Sequence, residues 1–153
     1  TGYHPDTFMR PMTIKGRNNT DLEELWANGP QAYLAISLPE FPNFFMLNGP
    51  NGPVGNFSLI EIAEHQWRYI EQLISKLTGG DCDEISAKRQ AMDAYEARRK
   101  EAAKQTVWYT GGCRSWYLDK NGIPSSWPWT FSRFTQAMSS PEWTDFDCIK
   151  REA

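Results

Sequence analysis

The stretch NFFMLNGPNGPVGNFSLIEIAEHQWRYIEQLISKL, Asn43 to Leu77, most constrains what this chain can fold into. An apolar run stops at a loop dense in Gly, Pro and Asn, and a long amphipathic segment follows at once. Pro50 and Pro53 stiffen the backbone and remove two N–H donors, while Gly52 and Gly55 let main chain approach a neighbour closely. Ser58-Leu59-Ile60-Glu61 fits a capping box, in which the Ser hydroxyl accepts from the backbone three residues on. The spacing predicts a helix from there to about Leu77, with Leu59, Ile62, Ala63, Gln66, Ile70, Leu73, Ile74 and Leu77 on one stripe and Gly79-Gly80 ending it. A strand, a rigid loop and a helix N-terminus in that order form a cradle for a ligand edge. The chain contains no Gly-Lys-Ser/Thr and no Gly-x-Gly-x-x-Gly, so this is neither a P-loop nor a dinucleotide fingerprint. What remains is a loop delivering a few backbone groups to an electron-rich ring with carbonyl and nitrogen acceptors, or else a stiff connector.

Around that loop the chain reads as a mixture. Residues 1–31 are broken by Pro5, Pro11, Gly16 and the Gly29-Pro30 pair, with one helical turn expected over Asp21–Trp26. Ala32–Leu38 and Phe41–Leu47 have the continuous apolar character of buried strands. A second helix is expected over about Glu84–Lys104, on the surface because its apolar stripe is thin. Thr106–Tyr109 and Ser115–Leu118 look β-rich, DKNG is a turn signal, and SWPWTFSRFTQAM ends in a short helix. The tail from Ser139 shows little ordering signal. These elements are too few in strands for a doubly wound sheet and suit the closing part of a larger α/β domain.

Composition excludes more than it selects. In 153 residues the net charge of -3 argues against a general nucleic-acid surface. No apolar run approaches a membrane span, and no signal peptide is visible. Cys82, Cys113 and Cys148 are widely spaced and read as free thiols in a reducing compartment, with the cytoplasm as default. His4 and His65 lie at no ligand spacing from a Cys or carboxylate, so no metal site is expected, and GGCRSW lacks the partners of a nucleophile. Aromatic residues make up 14% of the chain, with seven Trp. That share suits a Trp-rich core, a flat ring-shaped ligand, or an exposed platform of Trp108, Trp116, Trp127 and Trp129 in a binding module for sugars or proline-rich peptides.

Three ordered stretches carry a resemblance. TGY at the start, LWANGPQAYLAISLPEFPNFFMLNGPNGP, and TVWYTGGCRSWYLDKNGIPSSWPWTF resemble the C-terminal part of Baeyer–Villiger and flavin-containing monooxygenases, over roughly Thr1 to Phe134. The resemblance implies an α/β fold: the C-terminal portion of an FAD-binding, Rossmann-like enzyme with two dinucleotide-binding domains, here a fragment with few strands and two long helices. It divides the chain into a linker returning to the FAD domain (1–31), closing strands, flavin-side loop and helices (32–104), a Trp-bearing segment (105–138) and a tail (139–153). FAD and NADPH would be the cofactors. Gly49, Pro50, Asn51, Asn56, Phe57 and Trp116 would meet cofactor, with Trp116 on the nicotinamide side, and Val54, Gly55 and Phe57 would line the substrate pocket. Main chain near Asn56 and Phe57 would steady negative charge on the reduced ring. The implied reaction inserts one oxygen atom from O2 into a ketone or aldehyde, giving an ester or lactone. N- or S-oxygenation is the alternative within the family. LDKNGIPSSWPW stands where the cyclic-ketone enzymes carry a Gly-Ala-Asn-x-Pro-Gly-Lys type stretch, which points toward aryl ketones. Catalytic residues and the nucleotide fingerprints would lie in a missing N-terminal FAD/NADP-binding region, leaving this piece inactive alone.

Overall fold

The computed structural model describes residues 7–55, 57–112 and 115–151. Its elements in chain order are α1 (Leu22–Leu25), α2 (Leu59–Thr78), β1 (Glu84–Ala87), α3 (Arg89–Ala103), α4 (Val107–Thr110), α5 (Phe131–Ala137) and β2 (Phe146–Ile149). Helix α2 is the spine. The Ser58 hydroxyl accepts from the Glu61 N–H at 3.4 Å, and the helix passes into Gly79-Gly80, with Gly80 at φ +79°. Its inner face buries Ile62, Gln66, Tyr69, Ile70 and Leu73. One core gathers this face with Leu22, Trp26, Ile36, Phe41, Ile85, Tyr95, Trp127, Phe134 and Phe146.

The segment 32–47 departs from the two strands expected. Tyr33 N–H donates to the Ser37 carbonyl and Ile36 N–H to the Tyr33 carbonyl, while Leu34 and Ala35 both sit at positive φ (52° and 61°). This is a tight primed turn built without Gly or Asn. Left-handed residues of this kind cost about 1–2 kcal/mol each, and burial of the surrounding apolar side chains offsets it. Only isolated bridges, Tyr33 to Ser37 and Ser37 to Phe45, remain of sheet character there.

The expected second helix is divided. Glu84–Ala87 is extended because partners on both sides claim its backbone. Ile85 exchanges hydrogen bonds with Asn43, Ala87 N–H donates to the Ser37 hydroxyl at 3.1 Å, and the other edge pairs antiparallel with β2. The tail is accordingly ordered. Phe146 is buried against Tyr33 and Tyr69, and the Tyr33 hydroxyl donates to Asp145 at 2.5 Å. Burial and the nearby Asp145 carboxylate push the Tyr33 phenol well above its ordinary pKa. Thr106–Tyr109 is not a strand either: Val107–Thr110 closes one helical turn. The DKNG turn forms as expected, with Asp119 accepting from the Asn121 and Ile123 N–H groups and Gly122 at φ +76°.

Helix α3 is not a solvated surface helix. Arg99 is 1% exposed and makes a two-pronged ion pair with Glu96, both contacts at 2.7 Å. Its Nη1 also donates to the Pro124 carbonyl at 2.6 Å and the Ser126 carbonyl at 3.3 Å. One guanidinium thus ties α3 to the segment that leads into Trp127. The free-thiol reading fails as well. Cys82 and Cys148 form a disulfide with Cα atoms 5.5 Å apart, joining the segment just before β1 to β2; Cys113 lies outside the described residues. Pairing was hidden because 66 residues separate them.

Two outcomes follow. Arg99→Ala strands the Glu96 carboxylate in the interior and should lower unfolding stability by about 3–5 kcal/mol, whereas Arg99→Met with Glu96→Leu should cost far less, as read by chemical denaturation. Removing the cross-link by Cys148→Ser should cost about 2–4 kcal/mol, and non-reducing peptide mapping of the parent chain should recover the Cys82 and Cys148 peptides joined.

Candidate functional site

Loop 48–57 sits on the primed turn beneath it. A Cβ on Gly49 would collide with the Ala35 carbonyl oxygen, and one on Gly52 would press to 3.2 Å from the Gly49 oxygen. Gly49 through Pro53 are all buried, so Pro50, Asn51 and Pro53 form a floor rather than a flap. Asn48 and Asn51 hold positive φ (50° and 64°), turning the chain twice within four residues. The loop is anchored at both ends. Asn48 N–H donates to the buried Gln66 side chain at 2.7 Å and its amide reaches the Leu59 carbonyl, while Gly52 O accepts from Trp127 N–H at 3.1 Å.

Beyond the floor the loop opens onto an aromatic wall. Val54 and Phe57 share a cavity of about 190 Å³ with Trp108, Ser126, Trp127 and Trp129. Phe57 stacks on Phe131 at 5.1 Å, and Phe131 stacks on the buried Phe134. Gly55, at φ +81°, lies against the next ring: a Cβ there would stand 3.2 Å from Trp108. Trp108 meets Tyr117 at 4.3 Å, and Tyr117 stacks on Trp116 at 3.7 Å. Val54 and Phe57 thus meet at the cavity, Gly55 lies against Trp108, and Trp116 is the outermost, half-exposed ring of that series, whereas Gly49, Pro50 and Asn51 are buried. Asn56 lies outside the described residues.

The polar groups near this loop include unfilled donors. The first turn of α2 leaves Leu59 and Ile60 N–H groups without intrahelical acceptors, at the helix end that favours negative charge. The Asn48 and Asn51 side-chain oxygens are buried without a hydrogen-bond partner, as is the Gln66 amide nitrogen. The N–H groups of the first turn of α2 would suit the acceptor edge of an isoalloxazine ring, while the orphaned Gln66 nitrogen stays on the inner face of the helix.

Sequence reasoning missed the supports of this site. Arg99 falls on the helix expected at the surface, and the Gly52–Trp127 hydrogen bond crosses 75 residues with no local signal. Trp127 is buried and Trp108 and Trp129 are half-buried, so the four-Trp platform of a binding module does not form. A larger cleft of about 540 Å³ lies between Lys15, Arg17, Phe44 and Glu84, but Glu84 is already shared by Arg17 and Arg151 and none of the loop residues reaches it. Among the described residues there is no cluster of His, Cys, Asp and Glu able to hold a metal, and no helix long and apolar enough to cross a membrane.

No family model matches the chain. Individual relatives do. The chain is 39% identical over 147 residues to an uncharacterized monooxygenase of Mycobacterium tuberculosis, covering 96% of this chain and 30% of the relative. It is 30% identical over 152 residues to a Baeyer–Villiger monooxygenase of Streptomyces coelicolor, covering 98% of this chain and 29% of that one. An FAD-binding monooxygenase of Aspergillus niger is likewise 30% identical, with 25% of its length covered. Among solved structures, a cyclohexanone monooxygenase from Rhodococcus sp. Phi1 bound to NADP+ superposes with TM-score 0.76 at 23% identity, over 92% of this chain and 27% of that one. An oxidized steroid monooxygenase bound to NADP gives TM-score 0.78 at 24% identity, over 91% and 27%. The chain thus spans about 25–30% of the length of these curated relatives. By sequence the chain is similar to one segment of proteins named FAD-binding and Baeyer–Villiger monooxygenases, and by fold to one segment of the cyclohexanone and steroid monooxygenase structures.

Proposed function

We propose that this chain forms the flavin-side floor and part of the substrate wall of an FAD- and NADPH-dependent monooxygenase acting on a ketone or aldehyde. The observation that supports it is the seated loop: Gly49–Gly55 is locked onto the Ala35 turn, ends at the capped start of α2, and opens onto the Val54–Phe57–Trp127 cavity. FAD held there would supply redox exchange with NADPH and activation of O2. The overall balance is ketone, O2, NADPH and a proton giving ester or lactone, NADP+ and water. Everything else falls to the protein. Gly49, Pro50 and Asn51 keep the floor still. Main-chain groups from Phe57 into α2 place positive dipole ends where negative charge gathers. Val54, Gly55 and Phe57, backed by Phe131, shape the apolar side that receives substrate and keeps water out. Trp116, at the outer end of its stack with Tyr117 and Trp108, would meet the nicotinamide portion of NADPH. Segments 32–104 and 105–138 then act together, one as floor and one as wall. The aromatic wall of Trp108, Trp127 and Trp129 favours ketones that carry an aryl group.

The test is made on the full-length polypeptide. It should purify yellow with FAD and should oxidise NADPH faster when given an aryl ketone, with ester formed in proportion. A protein that binds no flavin, or that oxygenates only amines and sulfides, would overturn the reading. Val54→Trp, which fills the cavity from the loop side, should raise KM for the ketone about tenfold or more while FAD content stays level. Gly49→Ala should instead lift the floor off the Ala35 carbonyl, lowering stability by about 1–3 kcal/mol and FAD retention with it, as read by thermal melting and the flavin absorbance of the gel-filtered protein.

A further inference from the structure

Strand β2 depends heavily on its cross-link. Of its residues only Phe146 is buried, and Cys148 is exposed, whereas Cys82 at the other end of the disulfide is fully buried. The ion pairs that Lys150 and Arg151 make just beyond the strand are exposed and therefore weak. Cys148 lies opposite Ile85 in the β1–β2 ladder. The other edge of β1 holds the segment that carries the loop seat. Ile85 exchanges hydrogen bonds with Asn43 at 2.9 Å each way, the Asn43 amide donates to the Asp83 carbonyl at 3.0 Å, and Ala87 N–H donates to the Ser37 hydroxyl. A second path runs through side chains. Asp145 precedes β2 and accepts from the Tyr33 hydroxyl, and Phe146 meets the Tyr33 ring edge-on at 5.7 Å. Both paths end on Tyr33–Ser37, the turn whose Ala35 carbonyl seats Gly49.

Resting on the monooxygenase reading above, we propose that the Cys82–Cys148 disulfide is a reducible latch that sets how firmly the flavin-side loop is held. A thiolate of an external dithiol attacks the exposed Cys148 sulfur, the S–S bond breaks, and Cys82 leaves as a thiolate that takes up a proton. The second thiol of the reagent then displaces Cys148 from the mixed disulfide. The net exchange moves two electrons and two protons from the dithiol to the protein, leaving Cys82 and Cys148 as thiols and the reagent as a disulfide. Reduction reopens a closure that spans 66 residues, so β2 regains the freedom that the cross-link had removed. As β2 loosens from β1, Asp145 and Phe146 withdraw from Tyr33, and the Ala35 turn loses support from beneath. Opening is then local to the turn and the loop it seats, while the core around α3 stays closed. Oxidation restores the ladder and reseats the floor.

The test uses the full-length polypeptide, poised in mixtures of reduced and oxidised dithiothreitol, with amide hydrogen exchange and flavin content as readouts. Reduction should speed exchange about tenfold or more in residues 33–49 and 145–149 while α3 stays within about twofold, and reoxidation should reverse the change. FAD affinity should fall about fivefold or more in the reduced form. Cys82→Ala with Cys148→Ala should hold residues 33–49 at the reduced level of exchange and abolish their response to dithiothreitol. A response that persists in that variant would overturn the proposal by assigning it to Cys113. The proposal also falls if the folded protein resists dithiothreitol, if exchange rises in residues 145–149 alone, or if it rises evenly with α3 included, as a purely structural cross-link would give. Exchange reads the latch without flavin. A reversible response in a protein that binds no FAD would uphold the latch and overturn only the monooxygenase reading.

Discussion

The contact on which the functional half depends is the seat of Gly49 on the Ala35 carbonyl. A loop with two prolines is stiff, but stiffness alone does not place it. Placement comes from the primed turn at Tyr33–Ile36, whose buried carbonyl leaves no room for any side chain at position 49. Two non-glycine residues in left-handed backbone are an unfavourable way to build that turn, and they are tolerated because Tyr33, Ala35 and Ile36 are all buried. Backbone strain in one segment thus becomes positional accuracy in the next.

Charge does the same work on the aromatic side. Arg99 is a cation in the interior, satisfied by Glu96 and by two carbonyls of the Pro124–Ser126 segment. Desolvating such a pair is costly, and well-packed apolar residues would stabilise the core as well or better. What the pair provides is direction. Its fork holds the main chain of residues 124–126 while Trp127 N–H reaches the Gly52 carbonyl, so the wall and the floor are located relative to each other by hydrogen bonds. The disulfide between Cys82 and Cys148 and the β1–β2 ladder do for the far end what Arg99 does for the near one.

Legibility in the sequence followed locality. The Ser58 cap, the Gly79-Gly80 stop, the DKNG turn and the short helix after Trp129 each depend on residues a few positions apart, and each formed where the pattern predicts. The long amphipathic helix was readable for the same reason. The misreadings all involve distant partners. Ala32–Leu38 looks like a strand by composition, yet the turn at Leu34-Ala35 has no Gly or Asn to announce it. Glu84–Ala87 continues a helical composition but is pulled straight by Asn43, Ser37 and β2. The tail lacks any strong pattern and is ordered through Tyr33, Tyr69 and the cross-link.

For the site, the sequence by itself determined the chemistry of the loop: which residues are rigid, which lack a side chain, and that a helix N-terminus follows within a few positions. Those are covalent and near-neighbour properties, set before the chain folds. Only the tertiary structure decided what the loop faces. The cavity with Trp127, the stack leading from Gly55 through Trp108 and Tyr117 to Trp116, and the anchoring by Arg99 join residues tens of positions apart. Such contacts exist because a shared core makes those segments neighbours, and no local pattern of residues encodes them.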